Sequence, residues 1–319
     1  MTMKGKAVKL IIQIPCYNEE HTLGITLSAL PRKLEGIDVV EWLVIDDGSV
    51  DSTFDIARHF GVDHIIRLSS HQGLAKAFQA GLETSLKNGA DIIVNMDADN
   101  QYPAEYIPQL IKPIILGEAK IVVGVRPISD PKLSSPVKKL LHKFGGSVVR
   151  WISGTTITDV TSGFRAISRE AALRIHIFDD YTYTIEMVIQ AGWKKIPIIP
   201  LPISINKPSR PSRLIRNTPF YVIRSILTIM SYFMIYKPLR FFAVPGIFIV
   251  VAGCLLGLKF FYIYLQNNDY SFQTLIESVL MIGAGFFLFI FGLIGHLISA
   301  NRALLEDLAF QLRQIDKNR

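Results

Sequence analysis

Between residues 8 and 125 the chain repeats one unit: a short apolar run, a polar or glycine-bearing turn, and a helix-like stretch. The apolar runs are Val8–Ile14, Val39–Ile45, His64–Leu68, Ile92–Met96 and Lys120–Val125. The helix-like stretches between them are Thr22–Leu30, Ser52–Phe60, Leu74–Asn88 and Ala104–Leu116. Strands alternating with helices of this length predict βαβ units and a mainly parallel sheet, an α/β fold. In an open sheet of that kind, ligands sit beyond the carboxyl ends of the strands. The turns there are Pro15–Glu20, Asp46–Thr53, His71–Gly73 and Asp97–Pro103. No Gly-x-Gly-x-x-Gly follows the first strand and no Walker motif occurs, so dinucleotide dehydrogenases and P-loop enzymes lack their phosphate loop here.

The most telling turn lies in Ile92–Tyr102, IIVNMDADNQY. A buried strand there delivers Asp97 and Asp99, followed by Gln101, to the ligand edge. Mg²⁺ or Mn²⁺ binds through one or two carboxylates plus substrate phosphates, so the pair suits a metal–diphosphate site. A solvated turn or helix cap is the alternative for the pair alone. Asp46 and Asp47 end the second strand, where a carboxylate can accept from a base N–H or a ribose hydroxyl. Asp51 reads as the cap of the next helix, and Gly73 as a turn glycine or a binding residue. Further on, Ser129–Pro136 reads as a mobile loop and Lys138–Ile152 as a basic amphipathic helix. Asp159–Arg165 is a turn entering a strand. Thr184–Ala191 is a helix whose Glu186 is a candidate structural partner for Arg165. Ile196–Ile205 is a last, Pro-interrupted strand. His296 carries no assigned role.

Half of the residues are hydrophobic, which directs attention to membrane segments. Phe241–Leu258 holds 18 residues without a charge, extendable to Leu265 if Lys259 snorkels outward. Ser278–Ala300 holds 23, about 34 Å as a helix and enough to span a bilayer. Pro219–Tyr236 suits a helix in the headgroup layer. The net charge of +7 is concentrated: between Met187 and Asn268 there are ten Lys or Arg and no acid, against 24 basic and 27 acidic residues elsewhere. A basic stripe beside lipid-seeking segments points to an anionic membrane surface rather than to nucleic acid. Arg213, Arg216, Arg224, Lys237 and Arg240 flank the spans on one side, Arg302 and Arg313 on the other; the linker Gln266–Glu277 is acidic. The positive-inside rule then predicts both termini in the cytoplasm. Glycines at 246, 253, 257, 283 and 285 allow close helix contact, and so a homo-oligomer. The N-terminal apolar run is a first strand, not a signal peptide. Cys16 and Cys254 form no disulfide framework.

The segments IPCYNEE, DDGSVDST, DADNQYP, VGVRP and DVTSGFR, in this order, resemble the inverting family 2 glycosyltransferases of GT-A fold. The branch most similar is that of the polyprenyl-phosphate glycosyltransferases, and the likeness covers roughly residues 8–215. The resemblance implies a Rossmann-like, mostly parallel sheet flanked by helices over 1–206. A basic interfacial segment over 207–240 and a transmembrane hairpin over 241–319 (spans about 241–265 and 278–300) would follow. It implies transfer of a sugar from a UDP- or GDP-linked donor to a polyprenyl phosphate, with Mg²⁺ or Mn²⁺. Pro15, Tyr17, Glu19 and Asp46, with Asp47 and Gly73, would hold the donor. Asp97 would sit near ribose, sugar and metal, with Asp99 and Gln101 on the metal. Arg126, Lys207, Arg210 and Arg213 would meet the acceptor phosphate. Asp159, beside Arg165 in DVTSGFR, is a candidate base or acceptor orienter, and Arg165 a candidate binding residue. Two departures stand out: KPSRPSR (207–213) replaces the family's frequent Arg-x-x-Gly-x-Ser-Lys, and His71 stands where Asn is frequent.

A processive polysaccharide synthase would want a Gln-x-x-Arg-Trp motif, but Gln190-Ala-Gly-Trp193 lacks the Arg, and two spans enclose no pore. A membrane-tethered nucleotide-sugar sensor is the non-catalytic alternative, which a donor-consumption assay separates.

Overall fold

The computed structural model describes residues 7–127, 136–177, 183–206, 227, 230–267 and 272–315. The chain forms two compact units, Met1–Pro219 and Phe220–Arg319. In the first, seven strands make one sheet: β1 (Lys9–Cys16), β2 (Val39–Asp46), β3 (His64–Arg67), β4 (Ile92–Asn95), β5 (Ile121–Val125), β6 (Arg165–Ser168) and β7 (Ile198–Pro202). Their order is β3-β2-β1-β4-β6-β5-β7. All neighbours are parallel except β6, which runs against β4 and β5. Because β6 is antiparallel, its first residue, Arg165, lies opposite Asn95 at the end of β4. The turn before β6 thus joins the strand tips that carry the acidic motifs.

The helices of this unit are α1 (Leu23–Ala29), α2 (Thr53–His59), α3 (Leu74–Lys87), α4 (Ile107–Ile115), α5 (Pro136–Ser153), α6 (Arg169–Arg174) and α7 (Tyr183–Trp193). The expected stretches hold to within a few residues. A 3₁₀ turn over Ala104–Tyr106 precedes α4, and α6, started by the Ser168 hydroxyl accepting the Ala171 N–H, has no counterpart in the sequence reading. β1 and β4 are buried on both faces, as continuous apolar runs require. Leu10, Ile12, Ile14, Val94 and Val122 pack with Leu27, Ile107 and Ile111 into one core. Pro15 sits in central β1 at no expense to the ladder. It lies past the last β4 pairing, Gln13↔Asn95, where no N–H is needed. The loop expected at Ser129–Pro136 lies, apart from Pro136 itself, outside the described residues.

The second unit contains two helices long and apolar enough to cross a membrane, Pro238–Asn267 and Phe272–Ile315. Both overrun the charge-free runs that announced them. They touch through small residues: a Cβ on Gly246 would stand 2.8 Å from the Gly285 carbonyl oxygen, and one on Gly285 would stand 2.6 Å from that of Gly246. The Ser278 hydroxyl donates to the Gly253 carbonyl at 2.8 Å. Gly246, Gly253, Gly257 and Gly285 therefore serve contact within one chain, while Gly283 meets nothing within 4 Å. Self-association is not needed to explain them. Arg302 bonds Glu306 at 2.9 Å and the Tyr236 hydroxyl at 2.8 Å. Most of Pro219–Tyr236 lies outside the described residues; 230–236 is helical.

Candidate active site

Asp46 closes β2 and is fully buried. Its Oδ1 accepts the Ser49 N–H at 2.8 Å. Its Oδ2 has Arg67 Nε at 3.2 Å, out of hydrogen-bond alignment, and among the described residues no hydrogen-bond donor reaches it. A buried carboxylate oxygen compensated by a nearby charge but by no aligned donor keeps a hydrogen-bond position that a ligand can fill. Asp47 differs. Its Oδ1 accepts the Gln72 N–H, and its Oδ2 accepts the Gly73 N–H and meets His71 Nδ1, each at 2.8 Å. Asp47, one of the two acids expected at the donor, is taken up in holding the 71–73 loop. That loop sets the His71 ring on Tyr17, with centroids 3.8 Å apart and planes 19° from parallel.

The β1 and β2 tips are tied together by Asn18, which has φ of 53°. Its N–H donates to the Ser49 hydroxyl and its Oδ1 accepts the Val50 N–H, both at 3.0 Å. Glu19 accepts from the Thr22 hydroxyl at 2.8 Å and donates its N–H to Thr53 Oγ1. Asp51 stands one residue before the cap position of α2, which Ser52 occupies without a side-chain cap bond; it accepts the Thr53 N–H at 3.0 Å and the Glu20 N–H at 3.1 Å.

At the end of β4, Asp97 lies against the Gly163 backbone, on the turn before β6. A Cβ at Gly163 would stand 2.7 Å from Asp97 Oδ1. Burial first, and the charge of Asp99 second, push the Asp97 carboxyl up to about 7, against the pull of Arg126 and Arg165. Asp99 accepts the Gln101 N–H at 3.0 Å across Asn100, whose φ is 56°. Asn206 braces this loop, donating its N–H to the Gln101 carbonyl and its Nδ2 to the Asn100 carbonyl, both at 2.9 Å. No group of three or more His, Cys, Asp or Glu side chains with metal-binding geometry occurs among the described residues. Two mutually repelling carboxylates with oxygen donors alone fit Mg²⁺ or Mn²⁺ completed by phosphate oxygens.

Arg126, just past β5, grips Asp159 through Nε to Oδ2 at 2.7 Å and Nη2 to Oδ1 at 3.0 Å. Arg126 also bonds the Thr161 hydroxyl at 2.8 Å, and that hydroxyl donates to Asp159 Oδ1. Burial alone would raise the Asp159 carboxyl; Arg126 and Thr161 outweigh it and hold the group below the usual range. A carboxylate whose oxygens are taken up by Arg126 and Thr161 in this way is a weak proton acceptor, and its contacts orient Arg126. Arg165 is also reassigned. It is fully buried and donates to the carbonyls of Ser162 (2.8 Å), Thr184 (2.9 Å) and Val160 (2.9 Å), so it pins the turn and lends positive charge rather than touching a ligand. Glu186 accepts from Gln190 at 3.1 Å. Lys207, Arg210 and Arg213 lie outside the described residues.

Asp46, Asp97, Asp99 and Arg126 therefore occupy one edge of one sheet. Sequence reasoning missed Arg67, Asn95, Asn206 and the Tyr102 hydroxyl. Only Asn95 carried a signal, as a polar residue ending a wholly buried strand.

Comparison with known proteins agrees with this geometry. The model of glycosyl transferase family 2 matches residues 11–175. An undecaprenyl-phosphate mannosyltransferase of Micrococcus luteus is 28% identical over 207 residues, 62% of this chain and 83% of that protein. A dolichol-phosphate mannosyltransferase of Pyrococcus furiosus is 29% identical over 233 residues, 70% of this chain and 64% of that protein. Glucosyl-3-phosphoglycerate synthase of Mycobacterium tuberculosis, solved with Mn²⁺, UDP and glucosyl-3-phosphoglycerate, superposes with a TM-score of 0.54. That match is 22% identical and covers 70% of this chain and 80% of its own, a likeness of fold that is GT-A. With more than half of its residues matched by the family model and its acidic motifs on the ligand edge of the sheet, the chain is a glycosyltransferase and belongs to glycosyl transferase family 2.

Proposed function

We propose that the protein transfers a sugar, with inversion, from a UDP- or GDP-sugar to a polyprenyl phosphate at the cytoplasmic face of a membrane, assisted by Mg²⁺ or Mn²⁺. The observation that carries the donor assignment is the buried Oδ2 of Asp46, which has the Arg67 charge beside it but no aligned hydrogen-bond donor. It wants an N–H donor. Uracil and guanine offer one at the ring imide or amide, whereas adenine and cytosine present a lone pair there and would be repelled. Tyr17, backed by His71, supplies a flat surface just past the end of β1.

Asp97 and Asp99, with Gln101 next to them, would hold the divalent ion. That ion, when bound, supplies Lewis-acid neutralisation of the departing diphosphate. Pro15 and Glu19 shape the tip of β1 next to the donor. Arg126, held in a fixed fork by Asp159 and Thr161, presents its positive charge to an acceptor phosphate. A phosphate monoester, with a second pKa of about 6, is already anionic near neutral pH and needs little help from a base. The task left to the protein is positioning and charge compensation. This accords with the absence of an available base at Asp159. Lys207, Arg210 and Arg213 would add charge on the membrane side. The two apolar helices and the names of the relatives support a lipid-borne acceptor. The flanking basic residues support cytoplasmic termini.

The test is full-length protein in nanodiscs, given polyprenyl phosphate and a panel of radiolabelled UDP-, GDP-, ADP- and CDP-sugars, with and without EDTA. A single lipid-linked sugar from a UDP- or GDP-donor is expected, lost with EDTA and lost in Asp99→Ala. Transfer from an ADP- or CDP-sugar alone, or wild-type turnover by Asp99→Ala, would refute the assignment.

A further inference from the structure

Beneath the carboxylates lies a layer of buried polar side chains to which the transfer chemistry assigns no task. Asn95, the last residue of β4, is fully enclosed. Its Oδ1 accepts from Gln13 Nε2 at 2.9 Å, and its Nδ2 donates to the Gly163 carbonyl at 2.8 Å and to the Tyr183 hydroxyl at 2.9 Å. From the other side of the same residue, the Gly163 N–H donates to the Tyr102 hydroxyl at 3.3 Å. Ring stacking fixes both hydroxyls: Tyr102 on Phe164 with centroids 5.4 Å apart, and Tyr183 on Phe78 with centroids 3.9 Å apart. Gly163, gripped at its N–H and at its C=O, has so little room in front of it that a Cβ there would meet both Asp97 oxygens, at 2.7 and 2.9 Å.

An apolar residue at position 95 would spare the strand the desolvation of an amide. Buried polar groups satisfied on every side are costly to rearrange, so they fix one arrangement of what they hold. We propose that Asn95 and Tyr102 are positioning residues for sugar transfer. By clamping Gly163 from its two ends, they set the wall against which the Asp97 carboxylate rests, and so the spacing of the Asp97–Asp99 pair toward the metal–diphosphate. The inference rests on the metal reading of those two carboxylates.

Tyr102→Phe removes one hydroxyl and keeps the ring stack. Asn95→Leu removes the bond to the Gly163 carbonyl, together with those to Gln13 and Tyr183, while keeping the number of side-chain heavy atoms, and Gly163→Ala pushes on Asp97 directly. Full-length variants in nanodiscs would be titrated with Mn²⁺ in the presence of UDP and GDP. The kcat, the acceptor KM and the thermal midpoint would be measured beside the titration. The expected result for Tyr102→Phe is a roughly tenfold weaker Mn²⁺ affinity and a lower kcat, with acceptor KM and thermal midpoint close to wild type. Gly163→Ala should lose more of both than Tyr102→Phe. Wild-type Mn²⁺ affinity and kcat per folded molecule in Tyr102→Phe and Gly163→Ala would overturn the proposal, whatever the midpoint of Asn95→Leu. Should wild-type protein bind no Mn²⁺ and transfer sugar regardless of EDTA, the metal reading falls and this inference with it. Loss on Asp99→Ala beside unaffected Tyr102→Phe and Gly163→Ala would sink the clamp alone.

Discussion

Replacing Asp159 separates a proton acceptor from an orienter. Asp159→Ala leaves Arg126 without its fork partner. Removing one member of a buried ion pair costs about 3–5 kcal/mol. The Arg126 side chain keeps 24% of its surface exposed, so water recovers part of that loss and about 2–3 kcal/mol is expected. For a domain of this size, at ~2–4 °C per kcal/mol, the thermal midpoint should fall by roughly 4–12 °C. Asp159→Asn keeps the shape and an acceptor for Thr161, so it should fall less. The pH dependence has a definite sign. The Asp159 carboxyl lies lower folded than unfolded, so its stabilisation is present above the unfolded value near 3.8 and is lost as pH falls through the folded value. Wild type should therefore converge on Asp159→Asn in stability under acid and diverge from it above pH 5. In kinetics, an orienter raises acceptor KM and lowers kcat without moving the pH profile. If Asp159→Asn kept full stability but lost the acid limb of the pH–rate profile, Asp159 would be the base after all and the argument from saturation would be wrong.

Other outcomes follow from the same geometry. Asp46→Asn turns an acceptor into a group that can donate toward the base, and should weaken UDP and GDP binding by tenfold or more in calorimetry; unchanged binding would move the base elsewhere. Asp97, raised to about 7 when folded, binds a proton in the native state that the unfolded chain releases near 3.8. Metal-free protein should thus lose stability as pH rises from 4 toward 7, and Mn²⁺ affinity should climb over that range and level off above it; a flat profile would contradict the carboxylate pairing. In the second unit, Gly285→Leu drives a side chain into the Gly246 carbonyl, whereas Gly283→Leu enters open space. Only the first should lower the melting temperature in detergent, and equal effects would refute the helix contact.

Much of the architecture is written in short-range pattern. Five apolar runs and four helical stretches were placed almost to the residue, because a strand buried on both faces and an amphipathic helix each leave a local period. The two long apolar helices were as legible, since length without charge is itself the signal. The acidic motifs could be assigned to strand ends for the same reason. What each acid does there was not legible. Asp46 and Asp47 are neighbours in the chain, yet one keeps an oxygen without a hydrogen-bond donor while the other is closed off by Gln72, Gly73 and His71. Asp159 is neutralised by Arg126, 33 positions away, and Gly163 is held by Asn95, 68 positions away. Hydrogen-bond saturation belongs to pairs that meet only when the sheet is assembled. The antiparallel insertion of β6 between β4 and β5 makes several of those meetings, so the kinds of residue at the site could be read from the chain, and their availability only from the fold.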